Sequence, residues 1–142
     1  MRVTVPASSA NIGPGFDCLA VALDLLFHLD VGEPQQGATK LDANHPAAKS
    51  FADAGGEGPL FGETAIPPGK GLGFSGAARV AGLAAASIQS SGSIRYGDLL
   101  ARSGQLEGHS DNVAASIYGS VTAVNQDSVV RLRCPEELDV VV

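Results

Sequence analysis

A glycine-rich segment near the middle of the chain has the residue types of an anion-binding loop. Residues 66–86 place four glycines within eight positions and continue directly into an alanine-rich run. Glycine lets backbone approach a ligand closely, and alanine is the strongest helix former. A glycine loop that leads into a helix directs free N–H groups and the positive end of the helix dipole at one point. Phosphate groups bind in such places, and Lys70 and Ser75 add a positive charge and a hydroxyl group.

The loop differs from two common phosphate loops. It is not a Walker A loop, because the Gly-Lys-Ser/Thr triplet is missing at the required spacing. Residues 71–76 match G-x-G-x-x-G, but Pro67 and Pro68 stand where the strand before a dinucleotide fingerprint would end. Asp98, the nearest later acidic residue, also lies beyond the expected ~20 residues. From the loop alone, a dinucleotide site and a plain turn that caps a buried alanine helix stay open as alternatives.

Two further segments, residues 8–17 and 107–112, concentrate polar side chains. In the second, Glu107, His109, Asp111 and Asn112 precede an apolar helix. A helix cap accounts for Ser110 or Asp111, but not for Glu107 and His109 as well. Functional loops are held together by scaffold elements, and phosphoryl transfer needs mainly positioning and charge neutralisation. The three segments therefore predict one site with a phosphate cradle, acids for a cation such as Mg²⁺ and groups for a small polar substrate.

Composition favours a single globular domain. The chain has 142 residues, of which 44% are hydrophobic and 17% are charged. The net charge of −6 argues against nucleic acid as the main partner. No apolar run approaches the ~18 residues that would span a bilayer, so a membrane partner is not expected. Two distant cysteines, no zinc-type cluster and no signal peptide predict a reduced, cytoplasmic location.

The periodicity predicts an α+β fold, with a mixed β-sheet and helices packed on one face. Residues 18–23 form either a short buried helix or a direct turn into the next strand, and Cys18 is expected in the core. On the strand that follows, His28 is expected at the surface, and Gly32 to Asn44 are expected to form a loop. Strands are expected at 2–5, 24–31, 60–66, 121–124, 129–133 and 138–142, and helices at 46–54, 74–89, 96–103 and 113–118.

The three polar segments resemble known motifs. Residues 5–17 resemble the first motif of homoserine kinases, and residues 107–113 resemble a further motif of that family. Residues 67–77 resemble the ATP-binding motif of the GHMP kinase superfamily. All three occur in the family's order, and the first and third favour the homoserine branch over the mevalonate and galactose branches. The resemblance covers nearly the whole chain but only the first half of a family member.

This resemblance implies a fold and a reaction. The fold would be the GHMP kinase N-terminal domain over 1–142, with the C-terminal domain absent from this chain. It would contain a left-handed βαβ unit, against the usual right-handed rule. The reaction would be ATP-dependent, Mg²⁺-assisted phosphorylation of the side-chain hydroxyl of L-homoserine, giving O-phospho-L-homoserine in threonine biosynthesis. A homodimer is a further expectation. The alternatives are a truncated, non-catalytic nucleotide-binding remnant and another GHMP small-molecule kinase.

The resemblance also assigns roles to residues. Asn11, Asp17, His109 and Asn112 would contact homoserine, with Asp17 meeting its ammonium group. Asn11, Asp17 and Asp111 are the catalytic candidates, Asp111 as a base or an orienting acid. Ser75 and Glu107 would hold Mg²⁺. The ATP-binding residues would be Pro67, Pro68, Gly69, Lys70, Gly71, Leu72, Gly73, Phe74, Ser75, Gly76 and Ala77.

Two positions of the glycine segment stand apart. Phe74 occupies the place where the superfamily usually has the first of two serines, whereas Ser75 keeps the second. Arg79 follows on the helix and is expected to be a surface or packing residue. No spare arginine in the three motifs is expected to bind the homoserine carboxylate.

Overall fold

The computed structural model describes residues 1–125 and 128–133, and within them the chain folds into six strands and four helices. The α+β class is confirmed. The elements are β1 (Arg2–Ala10), β2 (Leu19–Val31), β3 (Thr39–Lys40), α1 (Pro46–Asp53), β4 (Leu60–Thr64), α2 (Phe74–Ser91), α3 (Tyr96–Glu107), α4 (Asp111–Tyr118), β5 (Val121–Asn125) and β6 (Ser128–Leu132).

The 13-residue strand β2 is the centre of the sheet. One edge of β2 pairs with β1 at residues 20–23 and 26–30, and the other edge is shared by β4 at residues 27–31 and β5 at residues 19–21. The small strand β3 adds to β4, and β6 adds to β5 as a hairpin. Each of these pairings is antiparallel. The sheet order is β3-β4-β2-β5-β6, with β1 on β2.

The core lies between this sheet and the helices. Alternate residues of β1 and β2 are buried, as the period of two requires, and Phe27 and Leu29 are among the fully buried side chains. Helices α2 and α4 pack on β1 and β2, whereas α1 and α3 pack on α2. The predicted left-handed connection stays a prediction.

Helix α2 approaches its neighbours closely because its buried face consists mainly of alanine and glycine. At Gly82, an added Cβ would collide with the Ser50 hydroxyl and the Ala47 carbonyl oxygen of α1. The Ser50 hydroxyl itself donates to the Arg79 carbonyl oxygen at 3.0 Å. Small side chains thus fix the distance between α1 and the first half of α2.

Several predicted boundaries are wrong at β1 and β2. Strand β1 continues to Ala10, whereas the sequence predicted an end at Val5 and a polar turn from Ser8. The cause is that β2 offers a partner up to Ala20, and the register shifts after Pro6 to keep both strands paired. Residues 19–23 extend β2, so the direct turn is confirmed and the short helix is wrong.

Other differences are smaller. Strand β3 lies inside the predicted loop 32–44, and α3 continues four residues beyond the predicted end at Ser103. Cys18 is half-buried and not a core residue, and His28 is half-buried, with its Nδ1 2.8 Å from the Thr4 hydroxyl. The predicted hairpin β5–β6 is confirmed. The predicted strand at 138–142 lies outside the described residues.

None of the helices in the described ranges combines the length and the apolar character that crossing a bilayer requires.

Candidate functional site

The glycine loop before α2 adopts a backbone that favours glycine. Gly69, Gly71 and Gly73 have φ values of 71°, 73° and 67°, in the left-handed region where other residues are strained. Gly73 is the N-cap of α2 and makes no side-chain capping bond. The N–H groups of the first turn of α2 therefore have no capping side chain, which suits them to an anionic ligand.

Contact with β1 holds this loop in place. The Ser8 N–H donates to the Leu72 carbonyl oxygen at 3.2 Å. An added Cβ at Gly73 would collide with the Ser8 hydroxyl and would lie 2.8 Å from the Ser8 carbonyl oxygen. Glycine is thus required at position 73 both by its φ and by the proximity of β1.

The loop forms one wall of a cavity of about 240 Å³. The other wall comes from the end of α3 and the start of α4. Two of the three predicted segments therefore line the same cavity. The lining residues are Gly69, Gly71, Leu72, Gly73, Phe74, Ser75, Gly76, Glu107, His109 and Asn112.

A guanidinium group joins the two predicted cation ligands. Arg79 forms an ion pair with Glu107 Oε2, and the same nitrogen donates to Ser75 Oγ at 2.9 Å. The Glu107 side chain is 13% exposed, and its Oε1 is buried without a hydrogen-bond partner among the described residues. Arg79 was expected to be a surface or packing residue, and the structure shows it half-buried and in contact with both Ser75 and Glu107. Its spacing of four residues from Ser75 on a helix could have indicated the contact.

At the start of α4 and just before it, two side chains are oriented by buried partners. His109 Nδ1 lies 3.1 Å from Asp111 Oδ1, which also accepts the Asn112 N–H at 2.7 Å. Ser8, fully buried on β1, donates to Asn112 Oδ1 at 3.0 Å and accepts from the Ser116 hydroxyl at 3.2 Å. With its oxygen engaged, Asn112 keeps its NH₂ group for other partners. Ser8 was predicted only as a residue of a polar loop.

Comparison with known proteins identifies the family. Residues 43–120 match the model described as the GHMP kinases N terminal domain. The chain belongs to the GHMP kinase family. It is 37% identical to a homoserine kinase of Desulfitobacterium hafniense, over 94% of this chain and 51% of the relative. It is 39% identical to a homoserine kinase of Leifsonia xyli subsp. xyli, over 86% of this chain and 44% of that relative. The chain thus spans about half the length of the curated relatives it matches.

Solved structures show the same fold. A protein assigned as a homoserine kinase from Listeria monocytogenes superposes with a TM-score of 0.82 at 31% identity, over 94% of this chain and 54% of the other. The homoserine kinase of Cytophaga hutchinsonii superposes with a TM-score of 0.67 at 27% identity, over 95% of this chain and 52% of that chain. The predicted helix-covered sheet of a GHMP kinase N-terminal domain is confirmed.

The residues of this GHMP kinase chain fit a magnesium ion held together with a triphosphate. Mg²⁺ prefers one or two protein oxygens beside phosphate oxygens and water. Glu107 Oε1 is buried without a hydrogen-bond partner among the residues that the structure describes, which is unfavourable. It lies 3.6 Å from the position that a Cβ at Gly76 would occupy. The described residues contain no cluster of three or more acidic, histidine or cysteine side chains for a metal. The donor set is therefore one that phosphate oxygens would complete.

Seven predicted site residues do not line this cavity. Asn11 and Asp17 are exposed in the loop between β1 and β2, where Asn11 Oδ1 accepts the Asp17 N–H at 2.8 Å and both have positive φ. Ala77 is fully buried in the core. Asp111 is 1% exposed and reaches the site through His109. The remaining three, Pro67, Pro68 and Lys70, are exposed on the outer part of the loop.

Phe74 anchors the first turn of α2 in this GHMP kinase. Its ring packs edge-on against Phe27 and His45, at centroid distances of 6.1 and 5.6 Å, and His45 stacks on Phe27 at 5.7 Å. His45 is the N-cap of α1, where its Nδ1 accepts the Ala47 N–H at 3.2 Å. Burial lowers the pKa of His45 below 6.5. An aromatic cluster thus stands behind the glycine loop at a position where a hydroxyl was expected from the family pattern.

Proposed function

We propose that this chain binds Mg²⁺-ATP and takes part in phosphorylating the side-chain hydroxyl of L-homoserine, to give O-phospho-L-homoserine on the route to threonine. The observation that carries the proposal is the buried Oε1 of Glu107, which has no hydrogen-bond partner among the described residues and lies beside the uncapped start of α2. The relatives at 37% and 39% identity that bear the name homoserine kinase support the choice of substrate. We assign residues 1–142 to one GHMP kinase N-terminal domain and place the reaction in the cytoplasm.

On the nucleotide side, backbone N–H groups bind the phosphates and two side chains bind the cation. The N–H groups of residues 71–76 donate to phosphate oxygens, in the field of the α2 dipole. Ser75 Oγ and Glu107 Oε1 would hold Mg²⁺, which neutralises charge on the phosphates as the phosphoryl group moves. Positioning by these groups supplies much of the rate, because phosphoryl transfer needs little covalent chemistry from the protein.

On the substrate side, residues 109–112 present two oriented groups. Asn112 offers its NH₂ group, since Ser8 holds its oxygen. A neutral His109 that donates Nδ1–H to Asp111 presents Nε2 as an acceptor toward a substrate hydroxyl. We assign Asp111 as an orienting acid, because its Oδ1 already faces His109 and the Asn112 N–H. Asp17, with an exposed carboxylate, and Asn11 would contact the homoserine ammonium end.

The test is ADP release by the purified protein with Mg²⁺-ATP, with and without L-homoserine. We expect homoserine-dependent ADP, and a loss of about 100-fold or more in Glu107→Gln, since changes even outside the ligand set typically cost 10–100-fold. Glu33→Gln is the matched control, because Glu33 is exposed in the loop after β2. We expect it to behave as the wild type.

Two outcomes would contradict the proposal. A Glu107→Gln variant as active as the wild type would remove Glu107 from the cation site. Thermal stabilisation by Mg²⁺-ATP without homoserine-dependent ADP would leave nucleotide binding alone, as the alternative of a non-catalytic remnant predicts.

A further inference from the structure

We infer that Arg79 is a positioning residue that fixes Ser75 and Glu107 as a pair of cation ligands. This inference rests on the proposed binding of Mg²⁺-ATP and adds a residue to it. The role acts through two other side chains, so Arg79 is not assigned to contact with the reacting atoms.

The first argument is the geometry of the contact. One terminal nitrogen of Arg79 both pairs with Glu107 Oε2 and donates to Ser75 Oγ. Ser75 lies in the first turn of α2, and Glu107 is the last residue of α3. A single guanidinium group therefore ties the N-terminus of one helix to the C-terminal end of another. The arginine and glutamate side chains are 28% and 13% exposed, so solvent screens this pair less than a surface pair.

The second argument is the asymmetry at Glu107. A guanidinium that grips a carboxylate as a fork engages both oxygens, and would leave neither for a metal ion. Here Arg79 engages Oε2, whereas Oε1 is buried without a partner among the described residues and lies against the first turn of α2. Arg79 thus fixes the carboxylate through Oε2, and Oε1 stays available on the side that faces the glycine loop.

The third argument is charge. An arginine is always protonated in proteins, so Arg79 neutralises Glu107 while the cation is away and adds a positive charge near the phosphate loop. Arg79 thus gives the buried carboxylate a charged partner before the cation arrives, and its contribution to cation binding comes from holding the two ligands in place. A competing role, in which Arg79 displaces the cation from Glu107, makes the opposite prediction for its removal.

The test compares Arg79→Met, Arg79→Lys and the control Arg102→Met, whose arginine is exposed on α3. The probe is mant-ATP, titrated by fluorescence in EDTA and in saturating Mg²⁺, with a thermal melt of each variant. In the wild type we expect Mg²⁺ to tighten mant-ATP binding. In Arg79→Met we expect this Mg²⁺-dependent gain in mant-ATP affinity to fall by about 10-fold or more. The affinity for mant-ATP measured in EDTA should fall by less. Arg79→Lys should restore part of this gain in affinity, because an ammonium group keeps the charge and the donors but differs from the guanidinium group in reach and geometry.

Each other result overturns the inference. An unchanged gain in Arg79→Met, whatever its melting temperature, means that Arg79 has a structural role alone. A larger gain means that it competes with the cation. If Arg79→Met does not fold, Arg79→Lys is compared by the same ratio, the mant-ATP affinity in Mg²⁺ over that in EDTA. A wild-type ratio in Arg79→Lys overturns the role of Arg79 in positioning the two ligands. Absence of Mg²⁺-dependent mant-ATP binding in the wild type contradicts the proposed function itself and, with it, this inference.

Discussion

At the scale of single residues, Ser8 links the glycine loop to the substrate side of the site. In Ser8→Ala, Asn112 Oδ1 and the Ser116 hydroxyl each lose a buried partner. We expect a loss of about 1–3 kcal/mol in the free energy of unfolding, measured by urea denaturation. We also expect a severalfold rise in KM for homoserine with a smaller change for ATP, because Asn112 is no longer held. Ser9→Ala, on the half-buried neighbour, is the control, and an equal effect in both variants would contradict the role of Ser8.

His45 makes the stability of the protein sensitive to mild acid. Its pKa is lowered by burial below the unfolded value of 6.5, so the unfolded chain binds the proton more readily. The contribution of neutral His45 is therefore complete above pH 6.5 and declines as the pH falls through that value toward the folded pKa. Urea unfolding at about pH 7.5 and about pH 5.5 measures this effect. Between these pH values the free energy of unfolding should fall less in His45→Asn, which keeps a capping oxygen, than in the wild type. An equal loss in both proteins would exclude His45 as the cause.

From the sequence, the residues that line the cavity were predicted more accurately than the contacts between them. Glu107 and Ser75 were predicted as a pair, and both line the cavity. Arg79 was judged alone, because its partner Glu107 lies 28 positions away at the end of a helix that the pattern ended at Ser103. Asn11 and Asp17 were predicted from a motif, and the motif does not say which wall of a site its residues face. Their roles stay predictions.

At the scale of elements, α2 depends on having no side chain at Gly82. Alanine is the better helix former by about 1 kcal/mol, yet Gly82→Ala puts a methyl group onto α1. We expect a net destabilisation of about 1–3 kcal/mol from overpacking. The matched control is Gly97→Ala on α3, where an added Cβ meets nothing within 4 Å, and this change should stabilise by about 0.5–1 kcal/mol. Chemical denaturation of both variants checks the contrast, and a stabilised Gly82→Ala would contradict the close packing of α1.

Elements whose signal is local were predicted well, and those that depend on a partner were not. The four helices were all predicted in type and approximate place, because glycines, the proline at the start of α1 and the apolar pattern of α3 mark them. The second half of β1 was missed, since Ser8 and Ser9 are typical of turns and become strand only through pairing with β2. Strand β3 has two residues and exists because β4 lies beside it.

At the scale of the whole molecule, Asp30 ties the start of the chain to the end of β2. It is 1% exposed and accepts from Arg2 at 2.8 and 2.9 Å and from the Gln35 N–H at 3.0 Å. The Arg2 hydrogen bond, and then that of Gln35, hold the pKa of Asp30 below its usual 3.8. Its contribution to stability is thus present above pH 3.8 and is lost as the pH falls through the folded pKa.

The corresponding variant is Asp30→Asn, which removes the charge at nearly constant shape. We expect it to be less stable than the wild type at about pH 6 and to lose less stability on acidification to about pH 3, because its side chain does not titrate. Urea unfolding at both pH values measures the difference. If both proteins lose the same stability, the Arg2–Asp30 pair has no part in the acid response.

The family and the class of the fold could be predicted from three short motifs and the periodicity, but the sheet order could not. It depends on β2 being shared by β4 and β5 along one edge, and no local pattern in residues 19–31 indicates two partners. The handedness of the βαβ unit came from resemblance and stays a prediction.

The sharing of β2 also has a consequence for local opening. The pairing with β1 jumps from Leu26 to Leu23, and on the far edge β4 ends and β5 begins across the same stretch, so Asp24 and Leu25 have no partner in either ladder. Amide hydrogens at these two positions should exchange with solvent far sooner than those on either side. We therefore expect the two halves of β2, one paired with β4 and one paired with β5, to open separately on the two sides of this break.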